Sequence, residues 1–155
     1  MDKTLILQSL GEAKKAHLKW VQRAKLLIEG LAIDESAIPL NSTDCAFGKW
    51  FYSEGQKLNA LGNMGCLSDI EKAHFTLHDE YMQIFKIYFS DNERTFFSKI
   101  FNSKKKINEK DKEIAKGHFM KLQAASDEVL EHIGRLERRL NAISQSSFDA
   151  NMSGI

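Results

Sequence analysis

Five histidines and two cysteines are the only imidazole and thiol groups in this 155-residue chain. Four of them fall in a pattern that suits a metal ion. His74 and His78 are four apart, so on a helix they stack on one face one turn apart, and two imidazoles at that spacing can grip one ion. His17 is the one polar member of an otherwise apolar stripe upstream. Cys45 opens the octapeptide-like stretch Cys45-Ala46-Phe47-Gly48-Lys49-Trp50-Phe51, preceded by Asp44. One sulfur and three nitrogens suit tetrahedral Zn²⁺. Four protein ligands make a closed site, without the open position that a catalytic zinc requires. Thiolate with imidazole also suits Cu(I), so zinc is inferred from ligand softness and metal availability.

Each of these residues has a plainer explanation. A single buried histidine is commonly a core residue bonded to a neighbouring group, and a free cysteine is commonly a small buried hydrophobe. The HxxxH spacing alone arises by chance. It gains weight here because the pair lies on a stripe expected to be buried, where unpaired or charged imidazoles are costly; a metal resolves both problems. Cys66 is left open as a ligand, a partner for Cys45 or an inert residue. His118 and His132 fall beside their helix stripe and are expected to be peripheral. Asp79 and Glu80, next to His78, are candidate acceptors for a ligating imidazole.

The elements that must position these groups follow from hydrophobic spacing. Residues 2–32 read as one helix, with Asp2 as N-cap and a stripe Ile6, Leu10, Ala13, His17, Trp20, Ala24, Leu27, Leu31. Pro39 breaks the connector that follows. A short helix is expected over about 44–53, stopped by Gly55, with Cys45 in its first turn. There the free backbone N–H groups favour a thiolate. Residues 56–66 read as a loop. A second long helix is expected over 68–89 behind the capping box Ser68-Asp69-Ile70-Glu71. Its stripe is Ile70, His74, Leu77, Tyr81, Ile84, Tyr88. A third, 110–144, has the most regular stripe, from Ala115 through Phe119, Leu122, Ser126, Val129, Ile133, Leu136 and Leu140 to Ile143. Between them, near 90–110, lies an extra segment with a short apolar helix at 95–101 and a lysine-rich turn at 104–106. Residues 145–155 read as a flexible tail. The fold class is all-α, an antiparallel four-helix bundle with three long helices and one short cysteine-bearing helix, one domain over 1–144.

Composition narrows the classes further. A formal net charge of +1 provides no general field toward nucleic acid or anionic membrane. No apolar stretch approaches the roughly 20 residues of a membrane span, and the N-terminus carries no apolar signal core. The expected location is the cytoplasm, where two cysteines stay reduced.

His17 in Ala-His-Leu-Lys-Trp, Cys45 in Cys-Ala-Phe-Gly-Lys-Trp-Phe and His74-Phe-Thr-Leu-His78, in that order, resemble the chemoreceptor zinc-binding (CZB) domain. That family's pattern is a histidine on the first helix, a Cys-x-[Leu/Phe]-Gly-[Lys/Arg]-Trp motif and HxxxH on the next long helix. The resemblance covers about residues 10–90, and the run from Ala115 to Leu136 is similar to the family's last helix. It implies a cytoplasmic zinc-binding bundle, usually homodimeric, with His17, Cys45, His74 and His78 as ligands and no enzymatic activity of its own. Zinc occupancy, or oxidation of the cysteine, would then alter the output of a chemoreceptor or a diguanylate cyclase. No cyclase or receptor sequence is present, so a partner in trans or the dimer itself is expected to carry the signal.

Two other readings compete. A hemerythrin-type di-iron bundle needs carboxylates four or five residues after its histidines, but His17 is followed by Val21 and Gln22, His78 by Met82 and His118 by Leu122. A metal-free structural bundle would show no zinc and no response to a chelator.

Overall fold

A computed structural model describes residues 2–89 and 107–154. Among them there is no strand. Helix α1 spans Lys3–Ile28, with the Asp2 side chain accepting from the Thr4 N–H. It ends four residues before the expected point because Gly30 takes a left-handed φ of 89°. The Gly30 and Leu31 N–H groups bond back to the Leu27 and Leu26 carbonyls at 3.1 and 3.0 Å, a glycine-terminated helix end. Every member of the α1 stripe from Ile6 to Leu27 is buried, while Leu31 is exposed.

Helix α2 is Ala46–Trp50, continued by a π-turn over Phe51–Gly55. Cys45 is therefore the N-cap rather than a member of the first turn. A 3₁₀ turn at Leu58–Leu61 leads to α3, Gly65–Phe89. This helix starts three residues before the expected capping box, so Ser68, Asp69 and Glu71 lie inside it and the box does not form. Helix α4 runs Glu109–Ala142, capped by the Asn108 side chain, and α5 runs Gln145–Met152, capped by Ser144. The expectation of a flexible tail misses α5. Phe148 is fully buried and Met152 nearly so, and that apolar pair draws the segment onto the 3₁₀ turn. The apolar helix expected at 95–101 and the lysines at 104–106 fall outside the described residues.

Cross-helix bonds fix direction and register. His118 pairs with Glu80 at 2.6 Å and Arg135 with Asp69 at 3.0 Å, so α3 and α4 run antiparallel. Lys14 meets Glu137 at 3.3 Å and the Lys3 ammonium donates to the Ile143 carbonyl at 2.7 Å, so α1 and α4 run antiparallel too. Helices α1 and α3 then share a direction, and the segment between them carries the chain back. In that return stretch Phe47 packs on His17 while the Trp50 indole donates to Ser9 and Ser9 donates to Glu54, which lays α2 antiparallel to α1 as the fourth member of the bundle. The same register puts His17, Ser126 and His74 at one level. No helix among the described residues is long and apolar enough to cross a membrane.

Candidate metal centre

The centre is built where α2 crosses the gap between α1 and α3. Gly48 is what allows the crossing. A Cβ there would stand 1.7 Å from the Ser42 carbonyl oxygen and 3.3 Å from the Cys45 sulfur, so only glycine lets the start of α2 fold over residues 42–45. The Gly48 N–H then donates to Cys45 Sγ at 3.2 Å, and the sulfur also contacts the Ser42 carbonyl at 3.4 Å. A thiol in the capping position takes the place of the usual serine or aspartate.

Across the gap, Cys45 Sγ stands 3.3 Å from His74 Nε2. The rings of His74 and His78 are 4.7 Å apart at 80°. One ligand atom from each of Cys45, His74 and His78 lies within 4.8 Å of the other two. Zn–N and Zn–S bonds of about 2.1 and 2.3 Å in a tetrahedron place such atoms ~3.3–3.6 Å apart, so the trio needs only a small closure. His78 Nδ1 lies 2.8 Å from the Leu40 carbonyl. A carbonyl only accepts, so Nδ1 carries the proton and Nε2 presents a lone pair. That Nε2 is buried and has no hydrogen-bond partner. An orphaned imidazole acceptor beside a thiol and a second imidazole is the arrangement a soft divalent ion completes.

His17 lies in the same cavity but is held differently. Its Nε2 is 3.0 Å from the Ser126 hydroxyl of α4, and it is outside the group of three. Phe47 packs against both His17 and His74, with ring centroids 5.9 and 5.0 Å away. The structure thus gathers Cys45, His74 and His78 and sets His17 beside them. Cys66 is a buried free thiol at the start of α3, away from the centre, and neither cysteine is in a disulfide. His118 and His132 are engaged by Glu80 and Arg135. Asp79 is exposed and Glu80 is taken by His118, so neither candidate carboxylate orients His78.

The groups that do this work were not singled out from sequence. Leu40 is presented by the connector, which the Trp20 indole pins by donating to the Pro39 carbonyl at 3.0 Å. The Trp20 ring also lies 4.6 Å from His78. A backbone carbonyl leaves no mark in a sequence beyond the Pro39 that shapes its loop. Ser126 did leave one: it is the sole polar residue on the α4 stripe, and it is 1% exposed.

Burial sets the protonation. It lowers His17 to about 4, helped by the proximity of His78, and His74 to about 3, helped by His78 and His17. It lowers His78 as well, against the pull of the Leu40 carbonyl and Asp79. All three imidazoles are neutral near pH 7, the form that binds metals. Burial also pushes the Cys45 thiol up, outweighing the backbone N–H groups of Gly48, Phe47 and Cys45 itself. The expected thiolate at this helix start is therefore overruled by desolvation; in the metal-free protein Cys45 is a thiol. A cavity of about 240 Å³ reaches the site from the surface, with Lys19 and Arg23 among its lining. The donors fit zinc, which would be held through Cys45 Sγ and the free imidazole nitrogens and would supply the charge that keeps the sulfur deprotonated.

Neither a curated protein nor a solved structure matches the chain. A family model does: the chemoreceptor zinc-binding domain matches residues 17–85. That span begins at His17 and contains Cys45, His74 and His78. Residues 17–85 of this chain are therefore similar to the chemoreceptor zinc-binding domain, and the gathered Cys45, His74 and His78 suit the zinc that this family's description names.

Proposed function

We propose that the domain senses zinc through the position of Cys45, with His17, Cys45, His74 and His78 as the full ligand set. The observation that carries this reading is the buried, unpartnered Nε2 of His78, a residue gathered with a thiol and a second neutral imidazole. His74 and His78 sit in the middle of a 25-residue helix, whereas Cys45 caps a helix of only five residues. When ligated, Cys45 holds α2 against α1 and α3; when released, it frees the start of α2. His17 completes the set by sharing or exchanging its bond with Ser126. The readout is a cytoplasmic signalling partner, a chemoreceptor or a diguanylate cyclase acting in trans, with the domain as a homodimer.

Oxidation of Cys45 is a second input on the same residue. The cavity that reaches the sulfur supports it, since a small oxidant has a path to a thiolate once the proton has left. Conversion to sulfenic acid removes a ligand and frees α2 in the same way.

Zinc titration of wild type, Cys45→Ala and His17→Ala tests the set. Each substitution should weaken zinc by at least about a hundredfold, beyond the effect of losing an outer hydrogen-bond partner. Wild-type affinity in Cys45→Ala would remove the sulfur from the site; wild-type affinity in His17→Ala would leave the fourth place to another group.

A further inference from the structure

A second opening of about 490 Å³ lies where the start of α3 meets the end of α4, lined by Asn63, Gly65, Cys66, Arg135, Arg138 and Arg139 among others. His74 is eight residues beyond Cys66 on α3, about 12 Å along the helix, so this opening and the zinc cavity are separate. Three guanidiniums around one opening repel one another unless anions neutralise them. Arg135 has its anion, the Asp69 carboxylate at 3.0 Å, and its other contact is His132. Arg138 and Arg139 make no side-chain ion pair or hydrogen bond among the described residues, and Arg139 Nε is buried without a partner. Lying in the last turns of α4, they gain a fraction of a charge from its C-terminal dipole, which satisfies none of their donors.

Opposite them, α3 begins at Gly65 with no acidic residue in its first turn. Its start adds the positive end of a 25-residue helix and glycine's bare backbone to the same opening. Guanidinium forks and a helix start share one preferred ligand, an oxyanion with several equivalent oxygens. A carboxylate would satisfy one fork; two unpaired forks plus the helix start call for a phosphoryl group. The opening is larger than a bare phosphate needs and falls in the size range of small-molecule sites.

We infer that this opening binds a phosphate monoester of about mononucleotide size, its phosphoryl group held by Arg138, Arg139 and the start of α3.

The test is calorimetric titration of the zinc-loaded protein with inorganic phosphate and with AMP, at constant ionic strength set by chloride. Saturable one-site binding is expected for both, tighter for AMP. Arg138→Gln should weaken both by about tenfold or more, the loss of one charge-assisted contact. Zinc content should not change, which separates this site from the metal centre. Arg138 is exposed and unpaired, so its replacement leaves the fold intact; Arg139→Gln adds a second test where it folds. Phosphate binding without any gain for AMP would reduce the site to one for free phosphate and overturn the monoester assignment. Absence of saturable binding, or equal affinity in wild type and Arg138→Gln, would overturn the proposal entirely.

Discussion

At the scale of single residues, the centre separates its two kinds of donor by what burial does to each. Desolvation favours the neutral form of every group. For an imidazole the neutral form is the ligand; for a thiol it is the protonated, non-ligating species. His17 and His74, lowered to about 4 and about 3, have no proton to lose in a folded protein at pH 6 or above. Cys45, pushed up by the same burial, keeps its proton until a metal displaces it. Zinc binding should therefore release one proton, and apparent affinity should rise about tenfold per pH unit between pH 6 and 8. Competition titrations against a chromophoric chelator at several pH values measure the slope. Cys45→Ala should flatten it, and a flat wild-type profile would mean that the sulfur is not a ligand.

At the scale of elements, the short helix α2 depends on a single hydrogen atom in place of a methyl. With Gly48 replaced by alanine, the new Cβ would overlap the Ser42 carbonyl, which is backbone and has no rotamer to escape into. The start of α2 must lift, and Cys45 moves with it. Gly48→Ala should destabilise the metal-free protein by about 1–3 kcal/mol and weaken zinc as well, although it touches no ligand. Thermal unfolding with and without zinc measures both effects; a neutral outcome would show that the α2 start has slack. This steric demand explains a motif that was legible in sequence only as a pattern. The long stripes and the inward facing of His17, His74 and His78 could be read directly, because helical spacing records which side chains face inward. What could not be read depended on competition among weak local signals. The capping box at Ser68 lost to an earlier start at Gly65, where Met64, Cys66 and Leu67 are buried and more apolar surface is gained by extending the helix. The polar tail hid α5 because only Phe148 and Met152, four apart, carry its burial. The Leu40 carbonyl that orients His78 has no side-chain signature at all.

At the scale of the whole molecule, three imidazoles in one bundle core make the metal-free fold sensitive to acid in a range where most proteins are not. Unfolded, each histidine takes up a proton near pH 6.5; folded, His17 and His74 resist until about pH 4 and about pH 3. Between those values the unfolded chain holds more protons than the folded one, so stability falls as pH falls. It is complete above about pH 7 and declines through the window from 6.5 toward 4. Each such proton is worth about 1.4 kcal/mol per pH unit, so two histidines together set a slope on the order of 2–3 kcal/mol per unit near pH 5. Carboxylates with ordinary values near 4 contribute little above pH 5, so the upper half of the window belongs to the histidines. Zinc opposes this loss, because it binds the folded state and requires the same nitrogens unprotonated; at a thousand times its dissociation constant it adds about 4 kcal/mol. Guanidinium unfolding at pH 7.5, 6.5, 5.5 and 5.0, with chelator and with zinc, should show a steep decline in the chelated protein and higher stability with zinc at neutral pH. His74→Gln should make the chelated decline shallower by about one proton's worth. A chelated protein equally stable at pH 7.5 and 5.0 would mean that the histidines are not held neutral, and the cavity around Cys45 would then have to be wet rather than dry.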